Sequence, residues 1–188
     1  WGLRLGLHLG LRNWGHDEDR RYQAMRGERI GIWWGSLFKV FILQGSIQIA
    51  VSAPVFGMLG SNEPLGLFDG IGLTVLAVGI AIEAIADTQL KRFLNDPLNS
   101  GRVMDQGLWG WSRHPNYFGN AIIWLGVGIV GVAAGGPLWT FLGPLLMLFL
   151  LLRVSGVTML ESTIVGRRPE YADYVRRVSS FVPFPPRQ

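Results

Sequence analysis

The 188-residue chain contains no cysteine. That excludes disulfides, thiolate metal ligands, iron–sulfur clusters and a cysteine nucleophile. Histidine occurs three times, at His8, His16 and His114, too scattered to suggest a zinc site, and no metal is expected. Charged residues are only 16% of the chain, where an ordinary soluble domain carries about 25%. A typical water-soluble globule and a disordered chain are both excluded. No internal repeat, low-complexity tract or recognisable nucleic-acid module is present. Nor is there a basic n-region followed by a signal-peptide cleavage pattern.

What the chain has instead is apolar sequence: 49% hydrophobic residues, with 26 glycines and 8 tryptophans. A membrane helix needs roughly 20 apolar residues to cross the hydrocarbon core. Four stretches qualify, near 33–58, 67–88, 118–135 and 138–160. Gly135-Gly136-Pro137 leaves room only for a tight reversal, so the last two should form a hairpin. Of 17 basic residues, six fall in 1–29, four in 89–116 and five in 161–188, with none in the other connectors. The positive-inside rule then places these three segments in the cytoplasm, and the net charge of +4 reflects topology rather than nucleic-acid binding. The opening run Trp1–Gly10 reads as the cytoplasmic end of a further membrane helix, so the numbering is expected to begin inside a longer protein. The expectation is a single all-α polytopic membrane domain over 1–188, with a cytoplasmic tail over 161–188. Small-residue pairs Gly6–Gly10, Gly66–Gly70 and Gly131–Gly135 fit close helix packing. Gly126, Gly128 and Gly131 satisfy the spacing of a dinucleotide fingerprint. They lie inside an apolar span, with Leu151 where the acid should stand, and read as helix packing.

A charge at the centre of a membrane helix costs about 2.5–3.5 kcal/mol on insertion scales, so polar residues in the spans need a reason. Glu83, Asp87 and Lys91 recur at i, i+4, i+8 and share one helical face. Lys39 should snorkel. Arg153 is expected to be a second buried charge, binding an anion or pairing. The densest cluster of special residues is Trp109-Gly110-Trp111-Ser112-Arg113-His114-Pro115-Asn116-Tyr117. Pro115 suits the first turn of a helix, so the third span begins at the cytoplasmic surface. A helix N-terminus beside Arg113 and His114 favours phosphate or carboxylate. Asn116 offers donor and acceptor to a carboxamide, and Tyr117 a hydroxyl that can donate a proton. Trp109 and Trp111 can stack on a flat ring or sit in the interfacial belt, with the belt the better account of Trp111. In the tail, Pro169 opens a short helix. Tyr171, Tyr174, Val175 and Val178 share its apolar face, and Arg176 and Arg177 lie near its end. Such a helix can rest on the membrane surface or close as a lid over a nucleotide.

The run Gly107–Gly119, a helical hairpin and the tail from Glu161 through Arg167-Arg168-Pro169-Glu170-Tyr171 to Pro186 resemble the steroid 5-alpha-reductase superfamily. The likeness is nearest to its bacterial membrane-protein branch. It implies a polytopic reductase that takes NADPH from the cytoplasmic side and reduces a polarised C=C bond in a lipid or sterol-like substrate. By that likeness Asp87, Lys91 and Arg92 belong to the nucleotide pocket, Asn116 and Tyr117 to the cofactor. Arg153, Glu161, Arg167, Arg168, Tyr171, Tyr174, Arg176 and Arg177 complete the cofactor set, and Glu83, Asn120 and Trp124 line the substrate cavity. Tyr117 is the candidate catalytic acid. Steroid-acting members often carry Glu where this chain has Asn120. Isoprenylcysteine carboxyl methyltransferases, which bind S-adenosylmethionine, share an Arg-His-Pro-x-Tyr-x-Gly run but typically have a Glu-Glu pair where Glu161 is followed by Ser162. A membrane methyltransferase and a non-catalytic membrane subunit are the alternatives. The expected partners are the bilayer and a lipid-like small molecule, not nucleic acid.

Overall fold

A computed structural model describes residues 1–13, 41–154 and 169–186. They fall into two compact units, 1–48 and 49–188. The first contains α1 (Gly2–Asn13). Helix α2 (Leu43–Val51) crosses the boundary between the units in sequence. Lys39 lies outside the described residues, as do Glu161, Arg167 and Arg168.

All regular elements among the described residues are helical. The expected continuous span over 33–58 is broken within its described part. Helix α2 ends at Val51 and α3 (Ala53–Met58) starts afresh after Ser52, with a proline in its first turn. Pro54 has no N–H to give to the carbonyl four residues back, which ends the first helix and suits the start of the second.

Among the described residues, two helices are long and apolar enough to cross a membrane: α4 (Leu67–Asn95) and α5 (Pro115–Ala133). Asp69 caps the start of α4, its Oδ2 accepting from the Gly66 N–H at 2.8 Å. At 29 residues, α4 runs about 43 Å and outlasts the roughly 30 Å hydrocarbon core. It ends seven residues beyond the expected 88, with Lys91 and Arg92 exposed on the extension. Most of its apolar side chains, among them Ile71, Leu73, Val78 and Ile85, stay exposed, as lipid-facing residues would. Helix α5 begins at Pro115, as its sequence predicts, with His114 in the capping position.

Glycines fix how α4 and α5 meet. A methyl group on Gly119 would lie 2.7 Å from the Glu83 nitrogen, and one on Gly126 would lie 2.6 Å from the Leu76 nitrogen. A methyl on Gly79 would lie 2.6 Å from the Ile123 nitrogen, and one on Gly72 would lie 2.6 Å from the Val130 side chain and 3.0 Å from its nitrogen. The seam therefore uses glycines seven residues apart on both helices, not the four-residue pairs expected. Gly6, Gly10 and Gly70 have open space around them, and Gly135 serves a turn at φ +85°. The fingerprint-like glycines point three ways: Gly126 to α4, Gly128 to Phe141 and Pro144, Gly131 to Pro54. They are packing positions, as read from sequence.

Past the tight reversal at 134–137, a 3-10 turn (Leu138–Phe141) leads into α6 (Leu142–Phe149) and a π-helical turn (Leu150–Val154). Gly128 against Phe141 and Pro144 closes the expected hairpin. Over its 17 described residues the second arm is mixed helix; 155–160 of the expected span lie outside the described residues. Arg153, expected to be buried, is exposed on the last turn. Finally α7 (Pro169–Arg177) forms the tail helix. Tyr171, Tyr174 and Val178 are buried, with Val103 and Val175 packed against them. Its apolar face meets protein, not lipid.

Candidate functional site

The site grows from the α4–α5 seam. Because the two helices run antiparallel and pack backbone to backbone, Glu83 is set against Gly119, and Asp87 one turn further against Asn116. The Asn116 Nδ2 donates to Asp87 Oδ1 at 3.3 Å, joining the helices. The Oδ1 of Asn116 accepts from the Tyr117 N–H at 3.0 Å, so the carboxamide orientation is fixed from both ends. Glu83 is only 4% exposed. Trp124 is also buried, and the Oδ1 of Asn120 is buried without a hydrogen-bond partner. The His114 and Tyr117 rings stack nearly parallel, with centroids 5.5 Å apart. The seam thus sets Glu83 and Asp87 against Gly119 and Asn116, with Tyr117, Asn120 and Trp124 on the same helix as Asn116.

The segment before α5 is tied down on both sides. Gly107 has φ +58°, and any side chain there would run into Gln89, whose Oε1 accepts from the Leu108 N–H at 3.0 Å. Trp109 is buried. Its Nε1 donates to the Ala86 carbonyl at 3.0 Å, so the ring anchors the loop to α4 rather than standing free for stacking. Trp111 is half exposed, which suits the interfacial belt.

The tail docks on this loop. The Tyr174 hydroxyl donates to the Trp109 carbonyl at 2.6 Å. Arg113, 8% exposed, donates from Nη1 to the carbonyls of Val175 and Val178 at 2.8 and 2.6 Å. Its main-chain N–H donates to Ser179 O at 2.8 Å, within a parallel bridge between Ser112 and Ser179. Ser112 Oγ donates to Phe181 O at 2.8 Å and accepts from the His114 N–H at 3.1 Å. The Phe184 N–H donates to Trp111 O at 3.0 Å.

Arg176 and Arg177 sit on the outer side of α7. Asp173 accepts from Arg176 at 3.0 Å and from Arg177 Nε at 2.7 Å, and Arg177 reaches Asp105 at 3.5 Å. These hydrogen bonds, Arg177's first, hold the Asp173 carboxyl below its ordinary range, and the Asp173 bond in turn raises the Arg177 guanidinium. A cleft of about 660 Å³ runs along this side, lined by Arg113, Arg176 and Arg177 together with Ser179, Ser180 and Phe184. A second, of about 400 Å³, lies between the end of α4, the following loop and the tail, with Arg102, Asp105, Asp173 and Arg177 on its walls.

Sequence reasoning named Asp87 and Asn116 separately and missed their bond. It held Ser112 within the Trp109–Tyr117 cluster without giving it a role, and it missed Gln89 and Asp105 altogether. Ser112 carried a signal, a hydroxyl two residues before the helix cap in the position of a local turn. Gln89 and Asp105 carried none, because their partners are distant in sequence.

The family described as protein of unknown function DUF1295 matches residues 1–178, and the chain belongs to it. An uncharacterized protein of Schizosaccharomyces pombe is 29% identical over 212 residues, covering 97% of this chain and 60% of that protein. A probable O-methyltransferase of Ustilaginoidea virens is 32% identical over 68 residues, 36% of this chain and 23% of that protein. The chain thus spans 60% of the length of the first relative and 23% of the second. No solved structure matches.

Proposed function

We propose that the protein is a membrane-embedded reductase that binds NADPH at the Asp87–Asn116 end of the α4–α5 seam. The observation that supports this most is the bond between Asp87 and Asn116 itself. A half-buried carboxylate and carboxamide joined at the end of a membrane-crossing helix pair are the kind of polar contact that marks a functional site there. The residues suit a dinucleotide. Asn116, held at both ends, presents a fixed amide edge to a carboxamide. The unpartnered Asn120 carbonyl oxygen awaits a donor. The cleft with Arg176 and Arg177 suits phosphates, and Lys91 and Arg92 add charge on the exposed end of α4. NADPH supplies a hydride; Tyr117, stacked on His114, would give the proton that completes reduction of a C=C bond in a lipid-like substrate. Glu83, Asn120 and Trp124 would line the substrate side, where a dry apolar seam keeps water from the reacting atoms. The four-span arrangement, with basic loops and tail in the cytoplasm, belongs to this reading, as does the likeness to steroid 5-alpha-reductases.

The stretch similar to a probable O-methyltransferase favours a second reading, in which the same site holds S-adenosylmethionine. Separate calorimetric titrations of NADPH and S-adenosylmethionine into the protein in nanodiscs decide between them. NADPH binding weakened tenfold or more by Asn116→Ala supports the reductase. Binding of S-adenosylmethionine alone selects the methyltransferase. Binding of neither leaves a non-catalytic membrane subunit.

A further inference from the structure

Six hydrogen bonds described above join the loop before α5 to the tail, and two of them come from one nitrogen of Arg113. The carbonyls it takes, Val175 and Val178, lie in the last turn of α7 and just past its end. These are the groups a helix leaves without internal partners, and they carry the negative end of its dipole. A buried guanidinium is matched to that end in charge and in donor geometry. Arg113 also stands two residues before Pro115, where α5 begins, and its own N–H is held by Ser179. The tail therefore fixes the point at which the chain enters the helix that carries Asn116 and Tyr117.

The geometry points to Arg113 as a positioning residue: it seats the tail helix against the start of α5, so that the cofactor site is complete only with the tail docked. It acts through the tail and not as a phosphate ligand. The cofactor arm of the test rests on the function proposed above; the docking arm does not.

The absence of cysteine makes a clean experiment possible. The full chain is placed in nanodiscs, and hydrogen exchange is followed over 171–181 alongside titration of NADPH and S-adenosylmethionine. Arg113→Gln is expected to speed exchange in the tail about tenfold or more and to weaken the cofactor that binds by a similar factor. Arg113→Lys, whose ammonium can meet the same carbonyls, restores protection to within about threefold. Bridge partners lie within disulfide reach, so Ser112→Cys with Ser179→Cys staples the tail when oxidised. Adding Arg113→Gln to the oxidised staple should then leave affinity within about threefold of the staple alone, and reductant should abolish the recovery.

Unchanged tail exchange in Arg113→Gln would overturn the proposal. So would a stapled, protected tail that still fails to bind, since Arg113 would then be a direct ligand. If the wild-type chain binds neither cofactor, the functional reading fails, and the exchange data alone decide the positioning role. If Arg113→Gln does not fold, Tyr174→Phe removes one tail bond and should speed exchange about fivefold, the equivalent of one ordinary hydrogen bond; no change there counts against the tail seat.

Discussion

Trp109 joins three segments through two polar groups. Its indole N–H holds α4 at Ala86, and its carbonyl receives the Tyr174 hydroxyl from the tail. Trp109→Phe keeps a buried ring but loses the bond to the Ala86 carbonyl, which retains its own partner within α4; the expected loss is about 0.5–1.5 kcal/mol, read as a lower unfolding midpoint in detergent. Trp111→Phe, at a half-exposed position, should change the midpoint by less than about 0.5 kcal/mol. The sequence marked Trp109 as special but not for this reason, because an indole that can stack and one that hydrogen-bonds look alike in a one-dimensional string. Asn116 was more legible. Its residue type beside Pro115 already indicated an oriented amide at a helix start, and only the partner across the seam was hidden.

Among the elements, the α4–α5 pair depends on missing side chains. Gly119→Ala would set a methyl 2.7 Å from the main-chain nitrogen of Glu83, where no flexible side chain can yield. It should cost about 1–3 kcal/mol, against almost nothing for Gly70→Ala in open space; denaturant unfolding in mixed micelles compares the two. Helix existence was readable from apolar runs and from Pro115, while the seam was not. Glycines seven apart make a contact only in a particular antiparallel alignment, which spacing within one helix cannot reveal. The tail helix was readable in both start and face, though its burial partner Val103 was not. Its acid behaviour follows from Asp173. Hydrogen bonds from Arg177 and Arg176 depress the carboxyl in the folded tail, so their contribution is complete above the unfolded value of about 3.9 and disappears as pH falls through the lower folded value. Tail exchange, corrected for intrinsic rate, should stay level from neutral pH to about 4 and then rise. Asp173→Asn should raise it at neutral pH and flatten the acid limb. An unaltered acid limb in that variant would show that another group controls docking.

For the whole molecule, the membrane character was legible from composition alone, and among the described residues two helices carry it. The interruption at Ser52 and the mixed helix after Pro137 were not, since an average over an apolar window does not register one missing N–H. The basic segments predict a sidedness that single cysteines can read on this cysteine-free background. Ser100→Cys should react only with a reagent on the cytoplasmic side and Ser61→Cys only from the opposite side. The seam has one more consequence. On α4 the small residues are Gly72, Gly79 and Ala86; on α5 they are Gly119, Gly126 and Ala133. Each trio repeats after seven residues, so sliding one helix by two turns, about 10 Å, again sets small residues opposite small ones. Backbone contact alone would accept either alignment. What rejects the slid one is the polar end of the seam, where Asp87 must find Asn116 and Trp109 must find Ala86. The polar groups read above as a binding site thus also act as the vernier of the fold, selecting one notch on a ratchet that glycine leaves ambiguous.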